Sequence, residues 1–120
     1  MKIKLYYNSK TVQDATWDDL CNALEALKEE AQVILRPIPV PENGPTRFDI
    51  EGENGYFFPG ILEADGEIRQ YIDLDAVGKD PIEIGGYNYS AMMVTQDYDL
   101  IVRMVKEFYE TGNVSRDLLK

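Results

Sequence analysis

The sequence predicts an α+β domain in which two amphipathic helices pack on one face of a curved antiparallel sheet of about five to six strands. Three observations support this fold class: two segments carry apolar side chains at helical spacing, several short segments alternate like strands, and the turns between them are short. Short turns favour antiparallel neighbours. Each helical stripe needs a partner surface, which the apolar face of the sheet provides.

The size of the chain fits a single domain, which we place at residues 1–120. A domain of 13.7 kDa buries about two thirds of the surface that its unfolded chain exposes. Hydrophobic residues make up 44% of the chain and charged residues 28%, which is ordinary for a globular protein and far from the composition of disordered chains. We therefore expect a packed core.

The amino-terminal part predicts one strand followed by one helix. Residues 2–7 alternate between apolar and polar positions, which is the period of a half-buried strand. Thr16 then resembles a helix N-cap, with acidic residues in the following turn. Apolar side chains continue at helical spacing over about four turns. They are Trp17, Leu20, Cys21, Leu24 and Leu27.

The middle of the chain begins with a short candidate strand and a proline-rich connector. Residues 33–35 are consistent with a short buried strand. Prolines follow at positions 37, 39, 41 and 45, where they remove backbone donors and hold the chain extended or in turns. We therefore predict that residues 37–45 are a connector that is too short to separate two domains.

Five strand-like runs follow the connector, at residues 46–51, 56–62, 67–74, 82–84 and 89–95. The segments Glu53-Asn54-Gly55 and Ala64-Asp65-Gly66 supply residues that tolerate positive φ in tight hairpin turns. These turns predict antiparallel pairing between the runs that they connect.

Alternation within two of these runs predicts which side chains face the core. In the run 46–51, Phe48 and Ile50 are expected to point inward, with charged residues between them. In the run 67–74, the apolar positions Ile68, Ile72 and Leu74 are expected to point inward. Pro59 is expected at an edge or a bulge, because it has no backbone donor.

The last predicted element is an amphipathic helix over residues 97–111. Asp97 begins the pattern, and Gly112 is a predicted stop signal. The apolar stripe of this helix consists of Leu100, Ile101, Met104, Val105 and Phe108.

Negative charge is concentrated in the central part of the chain. The net charge is −10, and the stretch from Thr46 to Gly86 holds −7 of it, with ten acidic residues against three basic ones. Such a surface repels nucleic acid and anionic membranes, and it attracts basic partners over about 8 to 10 Å at physiological salt. We therefore expect a positively charged protein as the partner, and neither nucleic acid nor a membrane.

Most residue types that carry hydrolytic chemistry are missing. The chain has no histidine, which removes the usual general base, the commonest zinc ligand and the standard serine or cysteine triads. The single cysteine, Cys21, lies in a helical stripe and is expected to be a small buried hydrophobe. The sequence has neither a calcium-binding loop nor a phosphate-cradling glycine motif. We therefore predict that the protein is not an enzyme and holds no metal or cofactor.

Paired carboxylates are the feature that keeps an enzyme in consideration. The pairs Asp73 with Asp75, and Glu51 with Glu53, have a spacing that aligns both side chains on one strand face, as in the acid–base pair of a glycosidase. In a chain with 22 acidic residues such pairs also arise by chance. We favour a solvated or partner-facing surface, because tyrosines interleave with these acids and tyrosine is enriched at interfaces.

The amino terminus has no uninterrupted apolar segment of the kind found in signal peptides. No run of the chain approaches the roughly 20 apolar residues of a transmembrane helix. We therefore expect a cytoplasmic protein.

The end of the last helix, Lys106-Glu107-Phe108-Tyr109-Glu110-Thr111-Gly112-Asn113, resembles the closing helix of the Imm1 family of bacterial immunity proteins. Three earlier segments are similar as well: Gly52-Glu53-Asn54-Gly55 before an aromatic strand, Asp65-Gly66 before another, and Ile82-Glu83-Ile84-Gly85-Gly86. The likeness covers about residues 46–113.

The resemblance implies an antidote that binds a toxin domain of a polymorphic or contact-dependent system and blocks its active site. Such toxins are frequently nucleic-acid deaminases or nucleases, which must present positive charge to phosphates. We therefore predict a non-enzymatic inhibitor with an acidic contact surface. Its candidate contact residues are Asp49, Glu51, Glu53, Tyr56, Asp65, Glu67, Tyr71, Asp73, Asp75 and Tyr87. The alternative is a small acidic ligand-binding or scaffold protein without catalytic activity.

Overall fold

A computed structural model describes the whole chain from Met1 to Lys120. Six strands form the main sheet: Lys2–Tyr7 (β1), Lys10–Val12 (β2), Glu30–Ile38 (β3), Pro45–Glu53 (β4), Tyr56–Glu63 (β5) and Ile68–Gln70 (β6). Their order across the sheet is β2-β1-β3-β4-β5-β6, and every neighbouring pair is antiparallel. Two helices, Trp17–Leu27 (α1) and Tyr98–Thr111 (α2), pack on one face of this sheet. The predicted fold class is confirmed.

The core lies between the two helices and the inner face of the sheet. The alternation of β4 places Phe48 and Ile50 inward as predicted, and both are fully buried. The ring of Phe48 lies 5.4 Å from that of Phe108 on α2, centroid to centroid. Burial of such large apolar side chains is the main source of stability for a domain of this size.

Both helices begin where the sequence predicts, and α2 also ends there, whereas α1 has 11 residues and is about one turn shorter than predicted. Thr16 accepts a hydrogen bond from the backbone N–H of Asp19, and the Asp19 carboxylate accepts one in return from the backbone of Thr16. This reciprocal capping box satisfies donors that the first turn leaves free. Asp97 caps α2, and Gly112 ends it at φ 78°, a left-handed conformation that glycine adopts without strain. Neither helix combines the length and the apolar character that crossing a membrane requires.

A small second sheet lies on the outer face of the main sheet, opposite the helices. Strands Ile82–Ile84 (β7) and Tyr87–Tyr89 (β8) form an antiparallel hairpin, flanked by short 3-10 helices at Leu74–Ala76 and Ala91–Met93. Tyr89 stacks on the outward-facing Phe58 with ring centroids 4.1 Å apart. The hairpin therefore covers one half of the outer face and leaves the other half uncovered.

Two β-hairpin turns agree with the prediction. Asn54 at φ 53° and Gly55 at φ 82° connect β4 to β5, with the positive φ values that a two-residue turn requires. Gly66, at φ 93°, lies in the turn between β5 and β6.

The amino-terminal half contains more strand than expected. β2 was not predicted, because three residues are too short for a pattern. β3 runs from Glu30 to Ile38 rather than over residues 33–35, so the connector begins after Ile38 and not at Pro37. Pro37 is tolerated because β4 pairs with β3 only as far as Leu35, so the strand needs no donor on that side at position 37.

Pro59 lies inside β5, a strand with neighbours on both sides, but at a gap in the pairing. Phe57 exchanges two backbone hydrogen bonds with Thr95 on the side away from β4, and β6 pairs only with residues 60–62. Backbone nitrogens two residues apart on a strand point to the same side, so the nitrogen of Pro59 points away from β4, as that of Phe57 does. It faces the gap between Thr95 and β6. The local environment is therefore that of an edge, as expected for proline.

The predicted face of the run 67–74 is wrong. Arg69 points inward and is 1% exposed, whereas Ile68 is 66% exposed and Leu74 is 71% exposed. The strand also ends at Gln70, and the run 89–95 is likewise divided between β8 and a 3-10 helix. The alternation is reversed because Arg69 finds buried partners: the Glu63 carboxylate on β5 compensates its charge, and the carbonyls of Val114 and Leu119 accept hydrogen bonds from it.

Cys21 is half-buried and not fully buried as predicted. The buried stripe of α1 consists of Leu20, Ala23, Leu24 and Leu27. Ala23 takes the central position, so Cys21 and Trp17 lie at the margin of the stripe.

Candidate functional site

A cleft bounded by carboxylates lies at one end of the outer face. It has a volume of about 260 Å³, and we refer to it as the carboxylate cleft. Its lining residues are Asn8, Glu30, Ala31, Gln32, Glu51, Gly52, Ile84, Gly85 and Tyr87. None of them is basic, and Tyr87 forms a wall that is 69% exposed. The cleft therefore offers negative charge beside an accessible aromatic ring.

One of these acidic side chains, Glu30, faces a like charge across strands β3 and β4. Glu30 lies directly opposite Glu53 in the register, and Gln32 lies opposite Glu51. Neither Glu30 nor Glu53 forms an ion pair. Like charges at opposed positions destabilise a sheet, so a cation supplied by a partner would relieve this repulsion.

The hairpin β7–β8 holds two of the carboxylates in place. The hydroxyl of Tyr89 donates a hydrogen bond of 2.7 Å to Oε2 of Glu51, and the N–H of Gly85 donates one of 3.1 Å to Oε1 of Glu53. Burial, and then this hydrogen bond to Glu51, raises the pKa of Tyr89 to about 12. Tyr89 thus remains a donor at neutral pH, and each carboxylate keeps a second oxygen for other partners.

Asp49 lies on the same face of β4 but in a different environment. Its Oδ1 is 2.9 Å from Nε of Arg47, at an angle too poor for a hydrogen bond. Burial raises the pKa of Asp49, and the charge of Arg47 opposes that rise. Because its nearest neighbour is a cation, Asp49 adds little to an acidic contact surface.

A second cleft, which we call the tyrosine cleft, has a volume of about 320 Å³. Tyr56, Tyr71 and Asp73 line it together with Lys79, Asp80, Gln96 and a group of apolar and small residues: Ala76, Ile82, Ala91, Val94 and Thr95. Asp73 also caps the first 3-10 helix by accepting a hydrogen bond from the N–H of Asp75, whose own side chain is exposed. The tyrosine cleft thus mixes apolar and polar lining residues, with two carboxylates against one cation.

Strand β7 lies between the two clefts. Ile84 lines the carboxylate cleft and Ile82 lines the tyrosine cleft. Residues two apart on a strand are separated by about 7 Å and face the same side, so one protein partner can span both clefts. The structure thus gathers around β7 six of the predicted contact residues, Glu51, Glu53, Tyr56, Tyr71, Asp73 and Tyr87, with Asp75 beside them.

Asp65 and Glu67 are not part of this group. They lie in and after the turn that joins β5 to β6, where Asp65 accepts a hydrogen bond from the N–H of Glu67. Glu67 forms a two-pronged ion pair with Arg116, and this hydrogen bonding lowers the pKa of the Glu67 carboxyl. These two acids help to hold the carboxy-terminal segment.

Two residues that shape the charge of the carboxylate cleft were missing from the predicted set: Glu30, which lines it, and Tyr89, which holds Glu51. Glu30 was assigned to neither a strand nor a site, because only the length of β3 brings it opposite Glu53. Tyr89 is one of the tyrosines that interleave with the acidic residues. Its hydrogen bond to Glu51 joins positions 38 residues apart, so no local sequence pattern indicates it.

The paired carboxylates considered for acid–base chemistry have structural partners. Asp73 caps a 3-10 helix, and Glu51 and Glu53 each accept a hydrogen bond from the hairpin β7–β8. No group of three or more Asp, Glu or Cys residues is arranged to share a metal ion. The arrangement presents carboxylates to an incoming cation.

Comparisons with known proteins support the fold. Residues 2–118 match a family described as "Family of unknown function (DUF6911)". No curated protein sequence matches the chain. A solved structure, described as a hypothetical protein from Neisseria gonorrhoeae, is similar with a TM-score of 0.71 and 19% sequence identity, over 94% of this chain and 91% of the other. At that identity the likeness establishes a shared fold.

Proposed function

We propose that this chain, which belongs to the DUF6911 family of unknown function, is an immunity protein that binds and neutralises a cognate bacterial toxin domain. The observation that carries the proposal is the carboxylate cleft, where Glu30 of the lining opposes Glu53 across β3 and β4 without a cation and Tyr87 stands exposed beside them. The protein acts in the cytoplasm as an inhibitor of the Imm1 type and has no catalytic activity of its own.

The chemistry of the target explains the charge of the cleft. A toxin that deaminates or cleaves nucleic acid must hold phosphates with lysine and arginine side chains. The carboxylates of Glu30, Glu51 and Glu53 present acceptors for the same side chains, and arginine binds carboxylates through two parallel hydrogen bonds. An inhibitor that occupies these lysine and arginine side chains prevents the nucleic acid from binding to the toxin.

Charge alone gives rapid association more than tight binding. Affinity at protein interfaces comes mainly from a few buried aromatic and apolar anchors. Tyr87 beside the carboxylate cleft, and Tyr56 and Tyr71 in the tyrosine cleft, are placed to supply such anchors on either side of β7. The proposal therefore assigns charge steering to the glutamates and affinity to the tyrosines.

A second candidate function is small-ligand binding in the tyrosine cleft. Its volume of about 320 Å³ and its mixture of apolar and polar lining residues fall within the range of small-molecule sites. Thermal stabilisation by a metabolite, abolished by Ala91→Trp in the cleft wall, would support this function in place of toxin binding.

The test is a calorimetric titration of this protein against the toxin domain encoded by the reading frame immediately upstream, at low and at high salt. We expect nanomolar binding that weakens as salt rises, together with loss of the toxin's activity on nucleic acid. Absence of binding at low salt would overturn the proposal.

A further inference from the structure

The uncovered half of the outer face is basic, although the chain as a whole is acidic. Two sets of paired residues form one row across this face: Lys4 with Arg36 on β1 and β3, and Arg47, Leu62 and Ile68 on β4 to β6. Lys4 lies directly opposite Arg36, and Arg47 follows at the next position on β4. We refer to this row, with the neighbouring Lys2 and Ile34, as the basic row.

The positive charges of the basic row are poorly compensated within the molecule. Lys2, Lys4 and Arg36 form no ion pair, and the nearby Asp49 is engaged by Arg47. Lys4 and Arg36 instead share the ring of Tyr6, at 5.2 and 5.8 Å from its centroid. Like charges opposed across two strands destabilise the sheet, so this row favours a negatively charged occupant.

Exposed apolar side chains accompany these cations. Ile68 is 66% exposed at one end of the row, and Ile38 and Val40 are exposed near the other end. The hairpin β7–β8, which covers the rest of the outer face, does not reach this half. A surface that combines cations with exposed isoleucines fits an acidic partner segment that also carries apolar side chains.

The same chain carries such a segment. Residues 73–80, which we call the acidic loop, contain Asp73, Asp75 and Asp80 against a single Lys79. Leu74 and Val77 within this loop are 71% and 63% exposed, although both are large apolar residues. A hydrogen bond of 2.7 Å from the N–H of Asp73 to the carbonyl of Met92 anchors the start of the loop. The acidic loop is therefore complementary to the basic row in both charge and apolar character.

We propose that the basic row is a docking site for the acidic loop of a second copy of this chain. Asp75 of one copy then lies against Arg36 and Lys4 of the other, while Leu74 and Val77 cover Leu62 and Ile68. The contact joins two different surfaces, so each copy offers one of each, and a reciprocal pair of contacts gives a dimer. The inference uses neither Glu30 nor Tyr87 of the carboxylate cleft, although the acidic loop also contributes Asp73, Lys79 and Asp80 to the tyrosine cleft.

The experiment is sedimentation velocity of the full chain over a wide concentration range at low and at high salt. We expect concentration-dependent self-association that weakens with salt. The single variants Arg36→Glu and Asp75→Lys should each self-associate about tenfold more weakly or worse, because each juxtaposes like charges. Arg103→Glu, a reversal on the exposed face of α2, is the matched control and should leave association unchanged.

Mixing the two single variants provides the decisive measurement. In the mixture, the glutamate introduced by Arg36→Glu meets the lysine introduced by Asp75→Lys. At the reciprocal contact, the Arg36 that one variant retains meets the Asp75 that the other retains. Association of the mixture should therefore recover, which neither misfolding nor a general charge effect can produce. A wild-type chain that stays monomeric at low salt, or a mixture no heavier than its separate components, would overturn the proposal.

Discussion

Arg69 and Leu119 are 50 residues apart in the sequence, yet two hydrogen bonds, of 3.2 and 3.0 Å, join the guanidinium of Arg69 to the carbonyl oxygen of Leu119. The same guanidinium donates to Glu63, to Asn113 and to the carbonyl of Val114. One buried side chain thus joins the β5–β6 hairpin to the carboxy-terminal segment.

Replacement of Arg69 by methionine is expected to be strongly destabilising. The change leaves the Glu63 carboxylate, only 9% exposed, without its closest cation and leaves two buried carbonyls without donors. Breaking a buried pair from one side costs about 3–5 kcal/mol of unfolding free energy, measurable by urea denaturation. Arg103→Met on exposed α2 is the control and should change stability by about 0.5 kcal/mol or less. Equal stabilities of the two variants would contradict the role of Arg69.

Gly52 and Gly60 provide a matched pair of glycine-to-alanine substitutions in neighbouring strands. A Cβ at Gly52 would lie 2.5 Å from the carbonyl oxygen of Leu27 and 3.1 Å from a ring carbon of Phe57. At Gly60 the nearest atom, the carbonyl oxygen of Arg69, would be 3.6 Å away. We expect Gly52→Ala to cost about 1–3 kcal/mol because α1 must move away from β4, whereas Gly60→Ala should be tolerated. A thermal melt that shows equal loss in both variants would exclude this packing argument.

Two partly buried tyrosines predict a loss of stability at alkaline pH. Burial raises the pKa of Tyr89 and of Tyr98 to about 12, with Glu51 and Glu25 as the next causes. The unfolded chain releases these protons near pH 10, so between about pH 10 and 12 the folded state binds more protons and its stability falls as pH rises. The stabilising contribution is fully present below about pH 10.

Urea denaturation across this alkaline range measures the effect. Tyr89→Phe should make the fall in stability with pH shallower, because the folded variant lacks the phenol proton that Tyr89 retains up to about pH 12. Tyr98→Phe should have the same effect, because Tyr98 is the second tyrosine whose pKa is raised to about 12. A spectrophotometric titration should show tyrosine ionisation that extends to about pH 12, and Tyr89→Phe should remove part of that late component. An unchanged slope in Tyr89→Phe would contradict the prediction.

Local signals predicted those parts of the fold that local interactions determine. The cap at Asp97, the stop at Gly112 and the turn at Asn54 and Gly55 all depend on neighbouring residues, and each was predicted at its observed position. The orientation of β6 depends instead on residues 113–119, which hold Arg69 inside. No alternation rule applied to residues 67–74 contains that information.

The candidate site also contains residues that local sequence features predicted and residues that only the tertiary structure reveals. Composition identified Glu51, Glu53 and Tyr87 from the acidic stretch and its tyrosines. Glu30 was not predicted, because its position opposite Glu53 is set by the register of β3 against β4. Composition also predicted an acidic sheet surface, whereas the outer face divides into an acidic end and the basic row. The sign of charge along a chain does not determine its sign across a sheet.

The proposed toxin contact predicts a specific effect of charge reversal in the carboxylate cleft. Glu30→Lys changes an exposed side chain that forms no ion pair, so the fold should be unaffected. Its association rate with the toxin domain should fall about tenfold at low salt, and the salt dependence should flatten, because steering depends on the local potential. Glu110→Lys, on the exposed end of α2, makes the same change in net charge away from the cleft and should have little effect.

Tyr87→Ala tests how the carboxylate cleft contributes to the affinity for the toxin, separately from its effect on the association rate. Truncating an exposed aromatic anchor should raise the dissociation rate, at a cost of about 2 kcal/mol or more, while the association rate stays near that of the wild type. Stopped-flow mixing and surface plasmon resonance measure the two rates independently. If Glu30→Lys and Glu110→Lys slow association equally, net charge steers the toxin and the cleft does not. If Tyr87→Ala also leaves dissociation unchanged, the toxin contacts a different surface, because a bound partner at the cleft must cover that ring.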